Sequence, residues 1–157
     1  PSIARVVNDP ADGSAREQMA HAALLSGMAL ANSGLGLAHG VAAALGVHCR
    51  VAHGLACAVM LPAAMRVNRV VAGERIARLA PVITGRNWSN TQSAVDACVQ
   101  SIHELCRTVG IPQTLTEIGV VREQLPALVA SSRGNSMHGN PREMSDEELS
   151  DLLESLM

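Results

Sequence analysis

The chain has 157 residues and a formal net charge of -2, with 48% apolar residues but no Phe, no Tyr and one Trp. At this length one domain with a real core is expected, burying roughly 70% of the unfolded surface. Scattered basic residues and the lack of stacking aromatics give no footprint for phosphate backbones, so nucleic acid is set aside as a partner. A core packed from Ala, Val, Leu, Ile and Met suits close helices better than sheets.

In chain order, four Ser or Thr residues followed three positions later by Glu or Gln read as capping boxes: Ser14 with Glu17, Ser89 with Gln92, Thr114 with Glu117, and Ser145 with Glu148. The first opens a long apolar helix from about Ala15 to Leu45, where Gly46 is placed to end it; Gly34 and Gly36 mark a bend or a close helix crossing. The stretch from Gln18 to Cys49 has no charged residue. Its Asn32, Ser33, His39, His48 and glycines favour a helix buried in protein over a membrane span.

A second helix begins near Ala52 to Gly54 and continues to about Val71, with Pro62 either kinking it or opening a new segment. A short helix from Glu74 to Leu79 stops before Pro81. From Thr91 to Thr108, apolar Ala94, Val95, Cys98, Val99, Ile102, Leu105 and Cys106 recur at helical spacing, closed by Gly110 and Pro112. A helix over Arg122 to Ser131 precedes a polar loop, Ser132 to Pro141, and a last helix with Leu149, Leu152, Leu153 and Leu156 on its face. No stretch alternates with period two, so the fold class is all-α.

The four cysteines, Cys49, Cys57, Cys98 and Cys106, fit no zinc spacing and are expected as reduced thiols in a cytoplasmic protein. The start at Pro1 without Met is compatible with a processed terminus or with a piece of a longer protein.

Two apolar segments set a His beside a Gly: Gly36-Leu37-Ala38-His39-Gly40 and Val51-Ala52-His53-Gly54. With one His late in a long helix and the other opening the next, a tight hairpin would join the imidazoles. Neutral imidazole suits Fe²⁺ or Zn²⁺. Their separation of 14 residues is no recognised ligand interval, and hydrogen-bonded core histidines would satisfy the same spacing.

The flanking residues carry more. Gly34-Leu35-Gly36 before His39-Gly40, then His53-Gly54-Leu55-Ala56-Cys57-Ala58-Val59-Met60-Leu61-Pro62, then Asn68, and finally Gly139-Asn140-Pro141-Arg142 resemble the iron-containing alcohol dehydrogenase family over almost the whole chain. The resemblance implies the C-terminal helical bundle of a dehydroquinate synthase-like fold, a single helical domain over residues 1–157. In the parent enzyme a separate N-terminal domain would bind NAD or NADP. It implies hydride transfer between a small alcohol and an aldehyde or ketone in a homo-oligomeric enzyme. It also implies a divalent metal, Fe²⁺ or Zn²⁺ in its place, with His39 and His53 as two ligands. The family's other ligands lie on an earlier D-x-x-x-H helix that this chain does not contain, so the 157-residue chain alone is expected to be inactive.

Departures from the family pattern are also legible. Ala43 stands where many members carry a relay His, leaving His48 as a possible stand-in, and Glu17 with His21 imitates the missing carboxylate–imidazole pair without aligning to it. His138 falls in a loop that would approach the cleft, whereas Asn68, Asn140, Pro141 and Arg142 read as structural. A non-catalytic assembly module with packed histidines is the competing reading.

Overall fold

The computed structural model describes all 157 residues as helices and loops with no strand. The α-helices are α1 (Ser2–Asn8), α2 (Gly13–Ser33), α3 (Leu37–Cys49), α4 (His53–Ala77), α5 (Ala80–Thr84), α6 (Thr91–Thr108), α7 (Leu125–Ser131) and α8 (Asp146–Glu154). Three single 3₁₀ turns, Thr116–Ile118, Arg122–Gln124 and Asn135–Met137, punctuate the second half.

Helix α4 packs against α3 and α6, and α7 covers α3 with α8 behind it. The main core joins Leu37, Val41 and Leu45 of α3, Val59 and Met60 of α4, Leu128 of α7, and Leu149 and Leu153 of α8. With small side chains on α3 and α4 (Ala42, Ala44, Ala56, Ala63) the backbones approach closely, which is how a core without Phe or Tyr is filled. A smaller cluster of Ala80, Ala94 and Cys98 joins α5 to α6, with Trp88 at its edge.

Helix α6 follows the expected bounds residue for residue, because its apolar stripe lies on one face. Its cap is Asn90, whose side chain accepts from the Ser93 amide at 2.9 Å, rather than Ser89. The Ser145–Glu148 capping box of α8 is complete, each side chain bonded to the other's amide. The first expected box is displaced, since Asp12 caps α2 by accepting from Ala15 at 3.0 Å. Thr114 accepts from the Glu117 amide at 3.2 Å but opens only a 3₁₀ turn.

The expected long first helix is two helices, α2 and α3, bent by 103° at Gly34 to Gly36. Gly34 has φ of 71°, a left-handed conformation that glycine adopts at no steric cost. Helix α3 runs past Gly46 to Cys49 and ends on Arg50 at φ 56°, with the Val51 amide bonded to the Leu45 carbonyl across the closing turn. Gly46 lies instead beside the returning chain.

Pro62 neither breaks nor restarts α4, which runs on through the separate helix expected from Glu74. The amide that Pro62 lacks leaves the Ala58 carbonyl free within the helix, and the Cys106 thiol points at it from 3.9 Å. The most apolar window of α4 has a mean hydropathy of 1.4, enough by length and composition for a membrane span, but 44% of that window is buried within this fold.

Helix α2 differs from the rest. Of its 21 residues only Ala15 is buried, and Leu24, Leu25, Met28 and Leu30 are 44–62% exposed. Its expected burial within the protein is therefore not provided by these 157 residues.

Candidate metal centre

His39 is the third residue of α3, in its first turn, not late in a longer helix. His53 opens α4. About ten residues of α3, or roughly 15 Å at 1.5 Å per residue, separate His39 from the end of its helix. The left-handed turn at Arg50 sends the chain back, with the Val51 carbonyl 3.8 Å from where a Cβ on Gly46 would sit and Ala52 extended. His53 then opens α4 with its ring against that of His39.

The two rings meet with His39 Nδ1 and His53 Nε2 3.1 Å apart, their centroids separated by 5.2 Å and tilted by 44°. Cys57, one helical turn after His53, places Sγ 3.4 Å from His39 Nδ1 and 3.5 Å from His53 Nε2. These three side chains form the one group of three or more His, Cys, Asp or Glu whose donor atoms converge within 4.8 Å. His53 is exposed while His39 and Cys57 are half-buried, so neither imidazole is packed in the core formed by these residues.

Burial, then the neighbouring His53, holds the His39 imidazole below its ordinary value of 6.5. Burial pushes the Cys57 thiol up from 9.0. Both effects favour neutral side chains, and the lone pair of a neutral ring is what a metal ion requires.

The other expected residues fall elsewhere. His48 sits in the last turn of α3, bonded to Ser131 Oγ at 2.7 Å, away from the rings. Ala43 is exposed, and Glu17 and His21 are exposed on α2, outside the converging group. His138 lines a groove of about 450 Å³ with Asn140, Arg142 and Met144 rather than joining the imidazoles. Cys57 was not singled out by sequence reasoning, although His53 and Cys57 at i and i+4 on one helix share a face.

The support for His39 comes from distant parts of the chain. Gly36, the N-cap of α3, has no side chain to cap the helix. Asn140, 103 residues later, supplies the cap by accepting from the Leu37 amide at 3.1 Å. The same oxygen accepts from Asn68 Nδ2 at 2.8 Å, Asn68 Oδ1 accepts from the Arg142 amide, and Asn140 Nδ2 donates to the Arg142 carbonyl at 2.7 Å. A Cβ on Gly36 would lie 3.0 Å from Asn140 Oδ1, and one on Gly139 would collide with the Leu35 carbonyl. The G-L-G, Asn68 and G-N-P-R segments therefore meet at one point under the first turn of α3.

Residues 1–157 match the description "Fe-containing alcohol dehydrogenase family, C-terminal". The chain belongs to the iron-containing alcohol dehydrogenase family. Among its relatives, lactaldehyde reductase of Escherichia coli is 37% identical over 143 residues, which is 90% of this chain and 37% of that protein. The 1,3-propanediol dehydrogenase of Citrobacter freundii is 37% identical over 142 residues, 88% of this chain and 36% of its own. A solved structure of the alcohol dehydrogenase from Oenococcus oeni superposes with a TM-score of 0.91 at 30% identity, covering 98% of this chain and 41% of that one. The chain thus spans a little over a third of the length of the curated family members it matches.

Proposed function

We propose that this chain is the metal-holding helical part of an NAD- or NADP-dependent alcohol dehydrogenase that interconverts a small alcohol with its aldehyde or ketone. The convergence of His39 and His53 to 3.1 Å, in a chain of this family, carries the reading. Two neutral imidazoles from separate helices suit a divalent ion, Fe²⁺ or Zn²⁺. When bound, the metal would supply Lewis acidity to the alcohol or carbonyl oxygen.

This chain's own residues hold and orient the ligands. The Asn140–Asn68 pair fixes the first turn of α3 and with it the His39 backbone. Ala43 offers no imidazole one turn beyond His39, and His48 is committed to Ser131, so neither supplies a proton relay. Nucleotide binding and the remaining ligands would come from outside these residues. The sulfoacetaldehyde reductase of Bifidobacterium kashiwanohense, 27% identical, has been solved in complex with NAD⁺.

The exposed apolar residues of α2, Leu24, Leu25, Met28 and Leu30, supply surface for the rest of such an enzyme or for its homo-oligomeric contacts. A single helical domain in a reducing, cytoplasmic setting completes the reading, in keeping with four free cysteines.

The test is metal analysis after purification without chelator, on the full-length parent enzyme, unaltered and as His39→Ala and His53→Ala. Stoichiometric Fe²⁺ or Zn²⁺ lost in both variants is expected, with no alcohol oxidation by the 157-residue chain alone. Absence of metal from every form, including after addition of Fe²⁺ or Zn²⁺, would refute the proposal.

A further inference from the structure

Building on the reading that His39 and His53 hold a metal, we infer that Cys57 is a third direct ligand from this chain, adding a thiolate to the two imidazoles. The three donor atoms have the spacing of three corners of a tetrahedron. Ligand distances of about 2.0–2.1 Å for nitrogen and 2.3 Å for sulfur, at tetrahedral angles, put nitrogens about 3.3–3.4 Å apart and nitrogen about 3.6 Å from sulfur. The observed separations are 3.1 Å between nitrogens and 3.4 and 3.5 Å from sulfur to each. A thiol has one proton to donate, whereas Sγ stands almost equally far from both ring nitrogens.

Helix geometry makes the arrangement rigid. His53 and Cys57 are four residues apart on α4, so one face carries both donors, and His39 enters from the first turn of α3. No carboxylate joins the converging group. Thiolate is the softest of the protein's donors and favours Zn²⁺ over Fe²⁺. Binding is balanced as a proton exchange: the Cys57 S–H bond breaks, a sulfur–metal bond forms, and the proton leaves to solvent.

The experiment uses Co²⁺, a spectroscopic substitute for Zn²⁺, added to the reduced, metal-stripped 157-residue chain. A near-ultraviolet sulfur-to-cobalt charge-transfer band and strong tetrahedral visible bands are expected. In Cys57→Ser, with helix content checked by circular dichroism, the charge-transfer band should vanish. Zn²⁺ affinity should fall roughly 100-fold, the upper end of the cost of losing even an indirect hydrogen-bonding partner of a ligand. Cys49→Ser, on a thiol outside the converging group, should change neither.

A measurement on the unaltered chain makes the test independent of folding in the variant. Bound Zn²⁺ should slow alkylation of Cys57, followed by mass spectrometry, without slowing that of Cys49. If Co²⁺ binds without the sulfur band, is lost in His39→Ala, and leaves Cys57 alkylation unchanged, the thiolate assignment is overturned while the two-histidine reading survives. If the unaltered chain binds neither Co²⁺ nor Zn²⁺, the thiolate assignment falls; if the full-length parent binds neither, both fall.

Discussion

Replacing Asn140 with Ala removes more than a loop side chain. Its oxygen caps α3 at the Leu37 amide and receives Asn68 Nδ2, and its amide nitrogen holds the Arg142 carbonyl. Loss of an N-cap costs about 1 kcal/mol. Each of the other two hydrogen bonds contributes roughly 0.5–1.5 kcal/mol, at the low end where water reaches the half-buried groups left behind. The sum is about 2–3 kcal/mol, equivalent to a fall in Tm on the order of 5–10 °C for a chain of this size. Urea unfolding followed by far-ultraviolet circular dichroism measures it. Asn140→Asp separates the parts, since it keeps an acceptor for Leu37 and Asn68, suits the positive end of the helix, and loses only the donation to Arg142. An Ala variant within about 0.5 kcal/mol of the parent, the range of inconsequential surface changes, would refute the role assigned to Asn140, as would an Asp variant no more stable than Ala.

Gly40→Ala forces a Cβ to 2.9 Å from the Ser132 carbonyl and 3.1 Å from Met137 Cβ, and should cost roughly 1–3 kcal/mol in urea unfolding. By contrast, Gly27→Ala, in α2 with open space around it, should stabilise by up to about 1 kcal/mol. Arg50→Gly should raise Tm, because Arg50 closes α3 at φ 56° and relieving that conformation is worth about 1–2 kcal/mol, less roughly 0.5–1 for the looser unfolded chain. Asp12 is held below its ordinary value of 3.8, chiefly by the Ala15 amide and then by Arg5. A carboxylate with a lowered folded value stabilises above the unfolded value and loses that contribution as pH falls through the folded one. Protection of the Ala15 amide, measured as its exchange rate relative to the unfolded-chain rate at each pH, should therefore fall below pH 3.8 and do so less in Asp12→Asn.

Legibility in the sequence followed the locality of the physics. Helices α6 and α8 could be drawn closely because each has one apolar stripe and a cap within three residues of its start. The α2–α3 break falls at Gly34 to Gly36, the glycines expected to mark a bend or a close crossing, but local residues could not tell one from the other. Alanine, leucine and glycine run through it without a change of hydropathy, and the cap that starts α3 arrives from Asn140, 103 residues away. Pro62 lacks an amide and so predicts a kink or a new segment, yet α4 runs through it and the Cys106 thiol approaches the carbonyl left over. The exposed side of α2 was equally hidden, since an apolar stretch looks the same whether this chain or another part of a protein covers it.

The candidate site was legible only in part, and for a reason the structure makes concrete. Spacing between His39 and His53 carried no information because their meeting depends on Arg50 in a left-handed turn and on Ala52 extended behind it, conformations that neither residue type favours or forbids strongly. The glycines and asparagines that carried the family resemblance are chiefly scaffold. Gly36 makes room for Asn140, Asn140 caps the helix on which His39 is the third residue, and Asn68 holds Asn140 in place. Such contacts demand particular residues at particular positions, which is why they form a recognisable pattern where two histidines alone do not. Cys57 needs no distant support: one turn of α4 after His53 brings its sulfur to the rings, and the i, i+4 spacing from His53 is a local signal that identifies it as a third donor.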